Sequence, residues 1–212
     1  SQQWTGWSHV YVEHAQEVLD SILMAYKISE DPRVRIPTAV GYDGYVLSYT
    51  AEPVEIPDQA LVDEWLPPNK AMPSIIPDEV DPSTFSRGWG GGDPQMPWKV
   101  HHDAIQGIEA IMKETMDSFE KTFGRRYGNG MIEEYKMEGA EAAIVAQGTI
   151  AGTCKAAVDK MQAAGKKVGL IKLRTYMPFP DADFQECAKK LDGIAVVDRS
   201  ICPGKRGPVY NK

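Results

Sequence analysis

Cysteine is scarce in this 212-residue chain, which carries only Cys154, Cys187 and Cys202. Three thiols with no CxxC spacing argue against a disulfide framework, and against an iron–sulfur cluster held by this chain alone. Free thiols fit a reducing, cytoplasmic compartment. Histidine is nearly as rare: His9, His14, His101 and His102 are the four. The adjacent pair points to different helical faces, so it cannot chelate one ion as an i, i+4 pair would. A structural or surface role is expected for all four. Basic residues are outnumbered 23 to 30, for a net charge of −7. With no basic stripe to neutralise phosphates, the balance argues against nucleic acid as the main partner. No apolar run approaches the roughly 18 residues of a membrane span. The opening SQQWTGWSHV lacks the charged-then-apolar order of a signal peptide. It also lacks Met, as expected of a segment of something longer.

What is present is ordinary for a globular protein: 42% apolar and 25% charged residues. Between His14 and Glu30, Ala15, Val18, Leu19, Ile22, Leu23 and Tyr26 recur on one helical face. Asp31-Pro32 ends that helix, because proline disfavours helical geometry in the residue before it. Arg35–Gly41 predicts a buried strand running into a Tyr42-Asp43-Gly44-Tyr45 loop. Proline then recurs through residues 57–100, predicting an extended connector with one short helix at Asp58–Trp65. Its apolar residues (Trp65, Ile75, Ile76, Trp89, Trp98) are too many for a solvated linker, so it should lie over another surface. A long helix is expected over His101–Phe123, stopped by Gly124.

The remainder alternates. Strands are expected at Glu141–Gln147, Lys167–Leu173 and Ile194–Val197. Helices are expected at Thr149–Ala164, closed by Gly165, and at Asp181–Leu191, capped by Asp181. Strands alternating with helices predict a parallel sheet in an α/β fold.

Each chemical motif has a plain structural alternative. Gly148 and Gly152 sit at a strand-to-helix turn but lack the third glycine of a dinucleotide fingerprint and the Gly-Lys-Ser/Thr of a P-loop. A tight turn with close packing is the better reading. Gly204-Lys205-Arg206-Gly207 reads as a solvated loop rather than a phosphate site. Cys154, with no histidine near in sequence, reads as a small buried residue. Asp43, Gly44 and Tyr45 lie at the carboxyl edge of the first strand, where a carboxylate can orient a substrate or hold a loop; holding a loop is favoured. Asp198 and Arg199 lie at the same edge of the last strand, where open α/β sheets bind ligands. They suit a cofactor contact or an interdomain salt bridge equally.

Several stretches together carry a family resemblance. They are Asp43-Gly44-Tyr45-Val46-Leu47-Ser48-Tyr49-Thr50, Glu52-Pro53-Val54, Ile56-Pro57-Asp58-Gln59 and Leu66-Pro67-Pro68. Further along come Phe123-Gly124-Arg125-Arg126-Tyr127-Gly128, Leu173-Arg174-Thr175-Tyr176-Met177-Pro178-Phe179-Pro180 and Val197-Asp198-Arg199-Ser200. In order and spacing they resemble the α-type subunit of 2-oxoacid:ferredoxin oxidoreductases, of which pyruvate:ferredoxin oxidoreductase is the best-known member. Tyr49 departs from the pattern, which has His after the serine matching Ser48.

The resemblance implies an enzyme that decarboxylates a 2-oxoacid with thiamine diphosphate and Mg, passes electrons through 4Fe–4S clusters to ferredoxin, and commonly loads the acyl group onto coenzyme A. It implies the tail of a thiamine-pyrimidine-binding domain over residues 1–56. A proline-rich connector and long helix over 57–128 and a transketolase C-terminal-like parallel-sheet domain over 129–212 would follow. The family's substrate- and pyrimidine-contacting residues have no counterparts in this segment. No catalytic, cofactor-binding or metal residue is therefore assigned, and the segment's expected role is architectural among the other subunits. Asp43, Gly44, Tyr45 and Ser48 are the candidate loop near the thiamine site, and Asp198 and Arg199 the candidate interdomain contacts. Alternatives are a relative acting on oxalate, an aryl glyoxylate or a branched-chain 2-oxoacid, and a non-catalytic α/β interaction module.

Overall fold

The computed structural model describes residues 5–68 and 95–212. Expectations for 69–94, including Ile75, Ile76 and Trp89, lie outside them. The first unit opens with β1 (Ser8–Tyr11), α1 (Ala15–Ser29) and β2 (Thr38–Gly41). His14 caps α1, its Nδ1 accepting the Glu17 N–H at 3.2 Å. The two strands pair in parallel, Ser8 opposite Thr38 through Tyr11 opposite Gly41. The expected Arg35–Gly41 strand is shorter because the turn closing α1 reaches further: the amides of Val34 and Arg35 both bond the Asp31 carbonyl, and Arg35 takes φ 50°. Nor is β2 buried; it forms the sheet edge and is half-exposed throughout.

After a four-residue helix α2 (Val46–Tyr49), the chain is strapped along the start of α1. The Gln16 amide accepts the Glu55 N–H at 2.6 Å and donates to the Glu55 carbonyl at 3.1 Å, while Glu52 accepts the Ala15 N–H. Gln16→Ala is expected to cost the intact subunit about 1 kcal/mol, the usual net worth of such hydrogen bonds; chemical denaturation checks this.

Asp58 caps α3 (Gln59–Trp65), its carboxylate accepting the Ala60 N–H. This helix seats Trp65 edge-on against Phe119 and Phe123, ring centroids 5.4 Å apart in both pairs. Lys27 lies 4.3 Å from the indole centroid and donates to the Trp65 carbonyl. This part of the connector therefore lies over its own chain. Trp98, by contrast, is 77% exposed. It sits near the start of α4 (Met96–Phe123), which begins five residues before the expected His101. Pro97 is tolerated there because a first-turn N–H has no helical partner to lose. Gly124 ends the helix in the left-handed conformation, φ 71°. Ile108, Met112, Met116 and Phe119 of α4 pack on Met24 and Ile28 of α1 and on Val10 of β1 to form the first core.

The second sheet holds β3 (Ile132–Tyr135), β4 (Ala142–Gln147), β5 (Val168–Leu173) and β7 (Gly193–Val197), in the order β3-β5-β4-β7. Helices α5 (Ile150–Ala163) and α6 (Asp181–Ala188) belong to this unit. β4, β5 and β7 are parallel, as their alternation with helices predicts, but β3 joins antiparallel to β5, so the sheet is mixed. α6 ends three residues before the expected Leu191. Asp181 is its first residue rather than its cap: Pro180 holds the cap position and offers no side-chain bond. β7 starts at Gly193, one residue before the expected Ile194.

After β5 the chain crosses to the first sheet, where β6 (Thr175–Met177) pairs antiparallel with β1, giving the order β2-β1-β6.

Candidate functional site at the carboxyl edges of the two sheets

Parallel strands present their carboxyl ends to one edge, where the chain turns and side chains gather. Here two such edges face each other: β1 and β2 of the first sheet, β4 and β7 of the second. Between them lies a cleft of about 220 Å³ whose lining includes Tyr11, Asp43, Gln147, Thr149, Asp198 and Arg199.

Asp43 sits at the junction. One carboxylate oxygen accepts the Leu47 N–H at 3.0 Å, and the other accepts from the Thr149 hydroxyl and the Arg199 guanidinium. Arg199 also donates to the Thr149 hydroxyl at 2.9 Å, closing a three-membered ring. Partial burial alone pushes the Asp43 carboxyl up, but the Thr149, Leu47 and Arg199 bonds together hold it below the usual carboxylate range. Asp198 turns the other way and accepts the Val209 and Tyr210 amides, both at 3.1 Å. Burial raises its carboxyl pKa, and the Val209 bond opposes this without reversing it. Arg199 thus reaches the first unit, whereas Asp198 holds the chain's own last turn. Gly44, Tyr45 and Ser48 are exposed, and Tyr45 stacks with Tyr49 at 5.9 Å.

The remaining motifs resolve individually. Gly148 takes φ 72° and turns β4 into α5, and a Cβ on Gly152 would stand 3.2 Å from Glu13. Arg206 stacks on Tyr210, centroid distance 4.4 Å. Cys154 is buried, which pushes its thiol pKa up. His101 bonds the Gly6 carbonyl, and burial pushes the His9 pKa down.

Behind the cleft lies a charge network that sequence reasoning missed. Lys172 is fully buried, with its ammonium 2.8 Å from both Glu13 and Glu17 and 3.1 Å from Glu133. Arg174 donates to Glu17 at 2.7 Å, to the Gly130 carbonyl and to Ser21. Lys155 completes the set by bonding Glu13 and Glu133. Beside it, Arg125 and the Tyr127 hydroxyl converge on the buried Asp20. Two cations inside the apolar run Gly169-Leu170-Ile171-Lys172-Leu173-Arg174 were the available signal. A charged residue in a buried strand requires a partner.

Among the described residues no group of three His, Cys, Asp or Glu side chains could hold a metal, and no helix is long and apolar enough to cross a membrane. The one carboxylate of the cleft that faces both sheets is already engaged by three donors. These residues therefore do not fit a Mg–diphosphate holder.

Two family models match the chain in succession. The thiamine diphosphate-binding model of pyruvate flavodoxin/ferredoxin oxidoreductase matches residues 2–123, and the pyruvate:ferredoxin oxidoreductase core domain II model matches 140–212. Pyruvate synthase subunit PorA of Pyrococcus furiosus is 39% identical over 218 residues, covering 99% of this chain and 52% of that protein. The α subunit of NADH-dependent phenylglyoxylate dehydrogenase from Aromatoleum evansii is 38% identical over 218 residues, covering 98% and 51%. The chain thus spans about half the length of these curated relatives. A solved 2-oxoglutarate:ferredoxin oxidoreductase from Magnetococcus marinus, with 2-oxoglutarate, coenzyme A and succinyl-CoA bound, superposes with a TM-score of 0.52 at 16% identity. It covers 89% of this chain and 34% of that one, and supports the α/β fold.

Proposed function

Because the chain belongs to the pyruvate flavodoxin/ferredoxin oxidoreductase family, we propose that it is a segment of the α-type subunit of a thiamine diphosphate-dependent 2-oxoacid:ferredoxin oxidoreductase, with pyruvate as the first substrate to test. The observation that carries this reading is continuity: similarity to pyruvate synthase subunits runs through both sheets, in order, over 99% of the chain.

Thiamine, bound in the assembled enzyme, supplies the nucleophilic carbon that takes up the keto group and the sink for its electrons. This chain's contribution is architectural. Residues 42–49 form part of the wall near the thiamine, and the second sheet braces that wall. In this reading Mg, the 4Fe–4S clusters and the contacts to ferredoxin and coenzyme A belong to other segments or subunits of a cytoplasmic complex. Residues 1–56 are read as the end of the pyrimidine-binding domain, 57–128 as connector and long helix, and 129–212 as the transketolase C-terminal-like domain.

The test is native isolation of the complex containing this chain. Expected are bound thiamine diphosphate, broad absorbance near ~400 nm from iron–sulfur clusters, and pyruvate-dependent reduction of ferredoxin. A complex with both groups that prefers an aryl glyoxylate would favour the second reading, which the 38% identity to the phenylglyoxylate enzyme supports. A colourless, thiamine-free monomer that oxidises no 2-oxoacid would overturn both and leave a non-catalytic interaction module.

A further inference from the structure

We propose that Arg199 and Thr149 are positioning residues for this reaction, clamping Asp43 so that the 42–49 segment keeps its place in the wall of the thiamine site. The inference rests on the functional reading above and extends it to two residues of the other sheet.

The segment has little else to hold it. α2 has four residues, none of them buried, and its N-cap residue, Tyr45, makes no side-chain capping bond. A helix that short has no stability of its own. Tyr45 and Tyr49 are 78% and 82% exposed, so their stack rests on no core. What fixes the turn is the Asp43 carboxylate, one oxygen on the Leu47 amide and the other on Thr149 and Arg199. One carboxylate therefore ties the segment to the start of α5 and the end of β7, more than 100 residues away in sequence.

The ring is closed. The Thr149 hydroxyl donates to Asp43 while accepting from Arg199 at 2.9 Å, so each bond orients the other two. One guanidinium nitrogen, Nη1, meets both the carboxylate and the hydroxyl; an ammonium in its place keeps the charge and the donors but sits on a shorter, more flexible stem. Arg199 itself is half-exposed, and the Asp43 carboxylate it would leave behind keeps the Thr149 hydroxyl and the Leu47 N–H as donors. The effect of losing it should fall on the segment and not on the fold.

The experiment uses the assembled enzyme with Arg199→Met, Arg199→Lys and Thr149→Val. Arg33→Met serves as control, since Arg33 pairs with Asp31 and Glu114 on another surface. Two readouts are taken: amide hydrogen exchange of residues 46–50, and steady-state kinetics with the 2-oxoacid. Arg199→Met and Thr149→Val should speed that exchange about tenfold, as expected of a segment freed to open locally. Both should raise KM for the 2-oxoacid about fivefold while kcat changes less than about twofold, the pattern of lost binding common to ground and transition states. Arg199→Lys should recover part of both effects, and Arg33→Met should show neither. Unchanged exchange would overturn the clamp whatever the activity. Faster exchange with an unmoved KM would overturn the positioning role and leave only a brace. If the wild-type complex oxidises no 2-oxoacid, the functional reading and the positioning role fail together, while the exchange data still decide the clamp.

Discussion

Glu17→Leu is expected to destabilise the intact subunit by about 3–5 kcal/mol, the cost of breaking a buried ion pair from one side: Arg174 loses its carboxylate, while Lys172 keeps Glu13 and Glu133. Glu17 is fully buried and divides its two oxygens between Lys172 and Arg174. Neither cation can turn to water: Lys172 is completely enclosed and Arg174 nearly so. Glu17→Gln keeps the shape but removes the charge, and is expected to cost almost as much. Urea denaturation of both variants beside the wild type checks this, and a loss below about 1 kcal/mol would show that the cations find other acceptors.

The same carboxylate makes stability depend on acid. Burial alone would raise its pKa, but Arg174 and Lys172 overcome that and hold it at about 2. An unfolded Glu titrates near ~4.3, so the folded pKa is the lower of the two. The stabilisation is complete above the unfolded value and is lost as pH falls from about 4.5 toward 2. Wild type should therefore lose stability steeply through that window. Glu17→Gln should show a shallower slope there, read from unfolding free energies at successive pH values.

Phe119→Ala is expected to cost about 3–5 kcal/mol, the usual range for truncating a buried aromatic. The ring is fully buried, 4.6 Å from Phe123 and 5.4 Å from Trp65. Its removal opens a cavity beneath α3. That helix reaches the first core chiefly through Trp65, its single buried residue. Two signals should appear together: a lower unfolding free energy, and faster hydrogen exchange over residues 59–65. Destabilisation without faster exchange at α3 would mean that the indole re-seats on Phe123 and the Lys27 clasp.

The α/β class and the helices were legible because their signals are local. The 3.6-residue period in α1 and α4, the breaker at Asp31-Pro32 and the stop at Gly124 act within a few residues of themselves. The face read in α1 is not the buried one, however: Ile22 and Tyr26 are exposed, and the helix buries Glu17, Asp20, Ser21, Met24, Ala25 and Ile28 instead. The parallel core of β4, β5 and β7 was legible from its apolar runs. β1, β3 and β6 were not, because each has only three or four residues and is defined by a partner far off in sequence. Ile132-Glu133-Glu134-Tyr135 carries two adjacent charges, which hides a strand until Glu133 is seen bonding Lys155 and Lys172.

The candidate site divides in the same way. Asp43 and Arg199 stood out by lying at strand ends. Thr149 did not, because nothing in a Gly-Thr pair signals that its hydroxyl will meet an aspartate 106 residues earlier.

The antiparallel pairing of β6 with β1 has a consequence for synthesis. His9 lies opposite Met177, so one side of β1 lacks its partner until nearly the whole described chain has been made. At roughly 5–20 residues per second, that leaves the edge open for something like ten to thirty seconds on the ribosome. During that interval the first sheet is an unfinished template that other strands can occupy. Completion of the first sheet therefore waits on a strand that follows β5 of the second.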